Sequence, residues 1–323
     1  MAFEVLKERQ ATAWGAGQYE LVADNAADVH GNLIDRLGVR PGEHWLDVAT
    51  GTGAVAIRTA RRGAIVTGQD FAVGLIDTAR RLAAKEGIDI RFDVGDCERL
   101  PYSDESFDVV CSALGAVFAP DHQAVAHELT RVCRADGQIG LAAWRPGGTI
   151  ASFFRMVGAF QPPPPDGAGN PFDWGRREYV QDILGDAFTL EFFDDESPML
   201  GDSPEAVWDL FVAGFGPIKA LAASLDEKRR HELHDAFVDL LSEYLLDDGS
   251  VSFPREWRRG RRASSDVTDV VGVRTHGACH SGKSSTACIQ RDPDTESAPS
   301  SPHRPRTMGF RFRAWRTKAA TST

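Results

Sequence analysis

The chain has 323 residues, enough for one large domain or two small ones around a substantial core. Its formal net charge of −11 hides an asymmetry: Arg258 to Thr323 carries 13 Lys and Arg against 5 Asp and Glu, which leaves residues 1–257 at −19. An acidic body excludes a main domain built to grip nucleic-acid phosphates, which needs a basic face, and no apolar run is long enough to span a membrane. MAFEVLKERQ has no signal-peptide pattern, so the default expectation is a cytoplasmic protein, and five cysteines without framework spacing read as reduced thiols.

Residues 3–37 contain two helical patterns, the second from about Tyr19 to Leu37, closed by Gly38 and by Pro41-Gly42. Trp14 and Tyr19 read either as core residues or as part of a lid. The stretch that organises the rest is LDVATGTGAVA, Leu46 to Ala56: a strand from His44 to Ala49, a glycine turn, then helical spacing. Such a turn aims backbone N–H groups at a ligand.

Two ligand classes compete for this turn. Gly51-Thr52-Gly53 followed by Asp70 satisfies a dinucleotide pattern. Asp47, four residues before the first glycine, argues against it, because its carboxylate would repel a pyrophosphate and would attract a ligand carrying an ammonium and a sulfonium. The alternatives to methyl-donor binding with turnover are therefore an NAD(P)-dependent oxidoreductase and a cofactor-binding module without turnover.

Ala64 to Asp70 reads as the second strand, and an acid at its carboxyl end suits the two hydroxyls of a ribose. A helix to about Glu86 leads to a third strand, Asp89 to Val94, followed by Gly95-Asp96-Cys97. Phe107 to Leu114 is a continuous apolar strand of the kind buried on both faces, and Ser112 to Phe118 should lie beside the glycine turn. Asp121 caps a helix to about Cys133, and Gly137 to Trp144 makes the fifth strand.

LDVATGTG, VTGQD, GDCERLPYSDESFDVV and LTRVCRADGQIGLAAW, in this order and spacing, resemble the class I S-adenosylmethionine-dependent methyltransferases, in particular the ubiquinone/menaquinone-type group. The resemblance covers roughly Trp14 to Phe253. It implies an α/β fold, a doubly wound, mostly parallel Rossmann-like sheet, with S-adenosylmethionine as cofactor. The site residues implied are Asp47 with Ala49, Thr50, Gly51 and Gly53 at the methionine part, Asp70 and Phe71 at the ribose, Asp96 and Cys97 at the adenine, and Ser112 at the neighbouring strand tip.

No catalytic constellation stands out. His122 is a candidate general base, weighed against a solvated side chain in the first turn of a helix. Methyl transfer by in-line displacement needs alignment and water exclusion more than acid–base groups, and no metal site is expected.

The domain reading is an N-terminal helical lid over 1–40, a methyltransferase domain over 41–257 with a substrate-region insertion at 145–185, and a basic, disordered tail over 258–323. In the insertion, Phe153, Phe154, Met156, Phe160, Pro162 to Pro165, Phe172 and Trp174 read as an ordered or extended excursion rather than helix. With Trp208, Phe211 and Phe215 they are either core or the wall of a pocket for a small, flat, apolar acceptor.

Thr189 to Phe193 reads as a sixth strand, with helices from about Ser203 to Gly214 and Leu225 to Leu246. The resembled family closes its sheet with a seventh strand after a segment like VSFPREW. Here Arg258-Arg259-Gly260-Arg261-Arg262 stands next, so that strand is in doubt, and Val267 to Val273 offers a substitute edge strand. GACHSGKS, Gly277 to Ser284, fits the P-loop letters but lacks room for the domain a P-loop needs. His276, Cys279, His280 and Cys288 match no standard zinc spacing.

Overall fold

A computed structural model describes residues 3–195, 198–253 and 267–274. All belong to the unit Met1–Ala278. The P-loop-like segment and the His/Cys group lie outside the described residues, as does most of the stretch read as a tail.

The centre is a seven-stranded sheet. In chain order its strands are β1 (His44–Val48), β2 (Ile65–Asp70), β3 (Arg91–Val94), β4 (Phe107–Ala113), β5 (Cys133–Trp144), β6 (Phe188–Asp195) and, after two short strands β7 (Met199–Gly201) and β8 (Val251–Phe253), β9 (Val267–Arg274). The order across the sheet is β3-β2-β1-β4-β5-β9-β6. β1 to β5 pair in parallel, and β9 runs antiparallel to both neighbours, from Gln138↔Val273 to Trp144↔Val267 and from Phe188↔Arg274 to Asp195↔Val267.

The sheet departs from the sequence reading in one respect. The strand at Val267 lies inside it, not at its edge, and is drawn from beyond Trp257. Its β-branched sequence, VTDVVGVR, suits a place bonded on both sides, where every backbone N–H and C=O finds a ladder partner.

The strands are apolar because both faces are covered. On one face Val29, Leu33, Ile34 and Leu37 of helix α3 (Ala27–Leu37), with Val55 and Ala56 of α4 (Ala54–Ala60) and Ile76 and Ala79 of α5 (Val73–Lys85), pack on Trp45, Val109 and Ala142. On the other, Val125 and Leu129 of α6 (His122–Val132) and Val180 and Leu184 of α8 (Arg177–Leu184) cover Leu46, Val48, Val110 and Ile139. Neighbouring strand residues thus split between two cores, as a period of two requires.

A third core belongs to a helical cap: α7 (Thr149–Gly158), α9 (Pro204–Gly214), α10 (Gly216–Ser224), α11 (Glu227–Ser242) and the β7–β8 pair, centred on Phe153, Val207, Ile218, Leu233 and Phe237. Residues 149–158 therefore differ from the extended excursion expected around the prolines. TIASFFRMVG ends before Pro162, so the prolines, with their missing N–H groups, constrain only the chain beyond Gly158, and the amphipathic run ahead of them is free to coil.

Before α3 the chain forms α1 (Glu4–Gly15) and a short α2 (Glu20–Ala23). α1 buries no residue. Among the described residues no single helix is long and apolar enough to cross a membrane, and no group of three or more His, Cys, Asp or Glu could hold a metal ion.

Candidate active site

The carboxyl ends of β1, β2, β3 and β4 open onto one cavity of about 910 Å3, counting the solvent at its mouth. Open parallel sheets bind ligands there, because strand order reverses at β1 and β4 and the connections diverge.

Asp70, at the tip of β2, is 4% exposed and uses both oxygens on backbone: Oδ2 accepts the Gly51 N–H and Oδ1 the Ala72 N–H, each at 2.9 Å. It holds the glycine turn against the start of α5. A carboxylate has more lone-pair directions than these contacts use, which leaves it able to accept from a ligand hydroxyl. Burial pushes its pKa up to about 6, against the lowering effect of those N–H groups.

Asp47 lies beneath the turn. Its Oδ2 accepts the Thr50 hydroxyl at 2.5 Å and the Ala56 N–H at 3.1 Å, and burial, reinforced by the Asp70 charge, pushes its pKa up to about 7. The acid that the sequence singles out for a ligand thus also ties strand, turn and helix together.

Gly51 and Gly53 have φ of 56° and 81°, the left-handed region open to glycine. Gly53 does not line the cavity. A Cβ there would sit 3.2 Å from Ala79 Cβ and from the Phe92 ring, so its smallness lets α4 approach α5 and β3. Two non-glycine residues, Ala49 (φ 53°) and Leu114 (φ 62°), share this strained region and line the cavity on facing strand tips. Such conformations cost on the order of 1–3 kcal/mol each and persist where surrounding packing enforces them. Gly115 permits the two tips to approach: a Cβ on it would fall 2.5 Å from the Ala49 carbonyl oxygen.

Past β3, Asp96 and Cys97 line the far end. Asp96 Oδ2 accepts from Lys7 Nζ of α1 at 2.7 Å, its Oδ1 accepts the Glu98 N–H, and Lys7 also pairs with Glu98. Burial pushes the Cys97 thiol well above its ordinary range, so it stays protonated. Ser112 is buried short of the cavity, where its Oγ accepts the Ala116 N–H at 3.0 Å. Phe71, Ala49 and Thr50 line the cavity.

Leu114 and Gly115, within the segment expected beside the glycine turn, line it, whereas sequence reasoning missed Gln10 and His30, which line it too. His30 left no signal, since it stands within an ordinary helical pattern.

His122 does not line the cavity. It is 3% exposed, its Nδ1 shares a hydrogen bond with the Tyr179 hydroxyl at 2.8 Å, and its ring lies 5.3 Å from that of Trp174. Burial lowers its pKa, opposed by the charges of Asp173 and Asp121. A histidine lowered on folding contributes stability that is intact above its ordinary 6.5 and lost as pH falls through the folded value. The expected result is that His122→Gln loses less stability than wild type between pH 7.5 and 5. Parallel melting-temperature profiles for the two proteins would contradict it.

A second cavity of about 790 Å3, again counting its mouth, lies between the strand tips and the cap. Its wall is aromatic: Trp14, Tyr19, Phe118, Phe153, Phe211 and Phe215 are among its residues, with Trp14 edge-on to Phe215 at 5.2 Å and Phe153 edge-on to Phe211 at 5.7 Å. Trp14, Tyr19, Leu114 and Phe118 line both cavities.

Comparison with known proteins decides the family. A family model described as "Methyltransferase domain" matches residues 46–137, from the β1 strand to the start of β5. An uncharacterized protein of Mycobacterium tuberculosis H37Rv, Rv1405c, is 34% identical over 255 residues, 76% of this chain and 91% of its own length. Demethylmenaquinone methyltransferase of Mycobacterium sp. KMS is 37% identical over 103 residues, 32% of this chain and 42% of that enzyme.

The chain belongs to the class I S-adenosylmethionine-dependent methyltransferases. The YcgJ protein of Bacillus subtilis shares the fold, with a TM-score of 0.50 at 16% identity over 77% of this chain and 98% of its own. S-adenosylmethionine is the cofactor of the methyltransferase, and the donor set suits it. Three aspartates and Glu98 around one cleft match a ligand with an ammonium and a sulfonium, and two buried carboxylate oxygens at the β2 tip match a diol.

Proposed function

We propose that this methyltransferase methylates a small, uncharged, apolar or aromatic molecule held in the aromatic cavity. One observation carries the reading: the donor cavity and the aromatic cavity meet along Trp14, Tyr19, Leu114 and Phe118, so a group on one side of that seam is presented directly to the other. When bound, the donor supplies a methyl group on a positively charged sulfur that is already a good leaving group, open to in-line displacement.

The work left to the protein is alignment and water exclusion. In this reading Asp70, with Phe71 beside it, receives the ribose hydroxyls, while the backbone at Cys97 and the carboxylate of Asp96 meet the adenine. Asp47 keeps negative charge beneath the turn formed by Ala49, Thr50 and Gly51. Of the region 1–40 read as a lid, α1 takes that part, since its Lys7, Gln10 and Trp14 line the donor cavity while it buries no residue, whereas α3 belongs to the core under the sheet. The aromatic wall favours a ligand that loses little on leaving water.

The test is to incubate the purified protein and S-adenosylmethionine with extract fractions separated by polarity, and to track by mass spectrometry the gain of one methyl mass. The gain is expected in the apolar, uncharged fractions. A gain confined to charged, water-soluble compounds would overturn the proposal.

A further inference from the structure

We infer that the acceptor atom is an uncharged lone-pair donor, a thioether sulfur or a weakly basic aromatic nitrogen, and that the aromatic cavity holds the onium product it becomes. The inference rests on the proposed acceptor site and names the chemistry of the molecule that enters it.

The wall of that cavity carries more than an apolar ligand asks for. Aliphatic side chains would bury such a ligand equally well, yet most of the residues around it bear aromatic rings, Trp14, Tyr19, Phe118, Phe153, Phe211 and Phe215 among them. What rings add is a quadrupole: their faces are negative and attract a cation, tryptophan most strongly.

The rings also stand where charge has to cross. Of the residues shared by the two cavities, Trp14, Tyr19 and Phe118 are aromatic. Trp14 is held by its neighbours, with ring centroids 5.8 Å from Tyr19, 5.2 Å from Phe118 and 5.2 Å from Phe215, so this group is in place before a ligand arrives. Tyr19 borders the glycine turn as well: a Cβ on Gly51 would lie 3.9 Å from its Cε1.

Charge accounting then selects the acceptor. Its lone pair forms the new bond to the methyl carbon, the bond from that carbon to the donor sulfur breaks, and the electron pair of the broken bond stays on that sulfur. A neutral acceptor atom ends with the positive charge, and no proton has to move before transfer. That charge arrives beside rings that favour it, and the carboxylates of Asp47 and Asp70 in the adjoining cavity add to the attraction. An acceptor that first lost a proton would set an anion against the same ring faces and the same acids, and both repel it.

The experiment uses two probes of one shape, phenyltrimethylammonium and its uncharged carbon counterpart tert-butylbenzene. Each is titrated into the full chain saturated with S-adenosylhomocysteine and followed by tryptophan emission, since Trp14 and Trp144 line the cavity. Physiological ionic strength screens diffuse attraction to the acidic body. The cation should bind wild type roughly fivefold or more tightly than its counterpart, and the ratio should fall below about twofold in Trp14→Leu and in Phe118→Leu, which keep the charge of the protein and an apolar wall. Equal or weaker binding of the cation to wild type would overturn the inference while leaving an apolar acceptor site in place, and that comparison stands if neither variant folds. A preference that survives both substitutions would belong to the acidic body as a whole and overturns it too. If neither probe binds, the proposed acceptor site falls together with the inference.

Discussion

Replacing Asp70 with Ala is expected to weaken S-adenosylhomocysteine binding at least tenfold, about 1.4 kcal/mol, in isothermal calorimetry. The residue sits at the end of β2 with both oxygens on backbone N–H groups, so its position is fixed before any ligand arrives. Hydrogen bonds from a ribose diol to an ionised, preorganised carboxylate belong to the stronger class, roughly 1.5–3 kcal/mol for those to charged groups. Asp70→Ala also releases the Gly51 and Ala72 N–H groups, so turn distortion adds to the loss. Asp70→Asn separates the two contributions, because it keeps the shape and an accepting oxygen while removing the charge. One of the two backbone N–H groups then faces the amide N–H instead of an oxygen, so Asp70→Asn should lose less stability in denaturant than Asp70→Ala and still bind several-fold more weakly. Wild-type affinity in both variants would take Asp70 out of the ribose role.

The same acid makes binding depend on pH. Burial lifts Asp70 to about 6 and Asp47 to about 7 in the protein without ligand. Carboxyls raised on folding hold protons that the unfolded chain has released, so by themselves they lower stability as pH rises from their ordinary 3.8 toward those values. A cationic ligand in the cleft favours the ionised forms. Affinity should therefore climb between pH 5.5 and 7.5 and binding near pH 6 should release protons, visible as a dependence of the apparent enthalpy on the buffer's ionisation enthalpy.

The parallel half of the sheet was legible because its signals are local. An apolar run such as FDVVCSA tolerates burial on both faces, and glycines at 51 and 53 mark positive φ directly. The seventh strand was not legible at its true place. Nothing in VTDVVGVR says whether one or both of its edges are bonded, and the basic run before it points away from the core. α7 was obscured by the prolines after it, whose influence was extended too far toward the N-terminus. At the site, Asp70 could be read from strand-end chemistry, whereas His30 could not, since only the packing of α3 on β4 and β5 turns that face toward a cavity. Asp47 shows a further limit. Sequence spacing assigned it a ligand to attract, while its hydrogen bonds to Thr50 and Ala56 give it a structural duty that no spacing announces.

Phe237→Ala should destabilise the protein by about 3–5 kcal/mol, the range for deleting a fully buried phenylalanine, and yet leave donor binding intact. Phe237 is 1% exposed in the core of the cap and meets Phe153 at 5.8 Å, Trp208 at 5.3 Å and Phe211 at 5.4 Å between ring centroids, each edge to face. Its loss removes three aromatic contacts and leaves a void on one wall of the aromatic cavity, which it also lines. A loss of that size is a large part of the roughly 5–15 kcal/mol by which a domain is stable, so the unfolding midpoint should fall steeply in urea. Phe237 does not line the donor cavity, whose acids hang on strand tips and the glycine turn. S-adenosylhomocysteine should then bind the folded variant within about twofold of wild type, a coupling below about 0.4 kcal/mol. An apolar acceptor, by contrast, should lose affinity or gain freedom in the enlarged cavity. Loss of donor affinity by tenfold or more in folded Phe237→Ala would mean that cap and sheet act as one site, and that the division of labour between the two cavities is wrong.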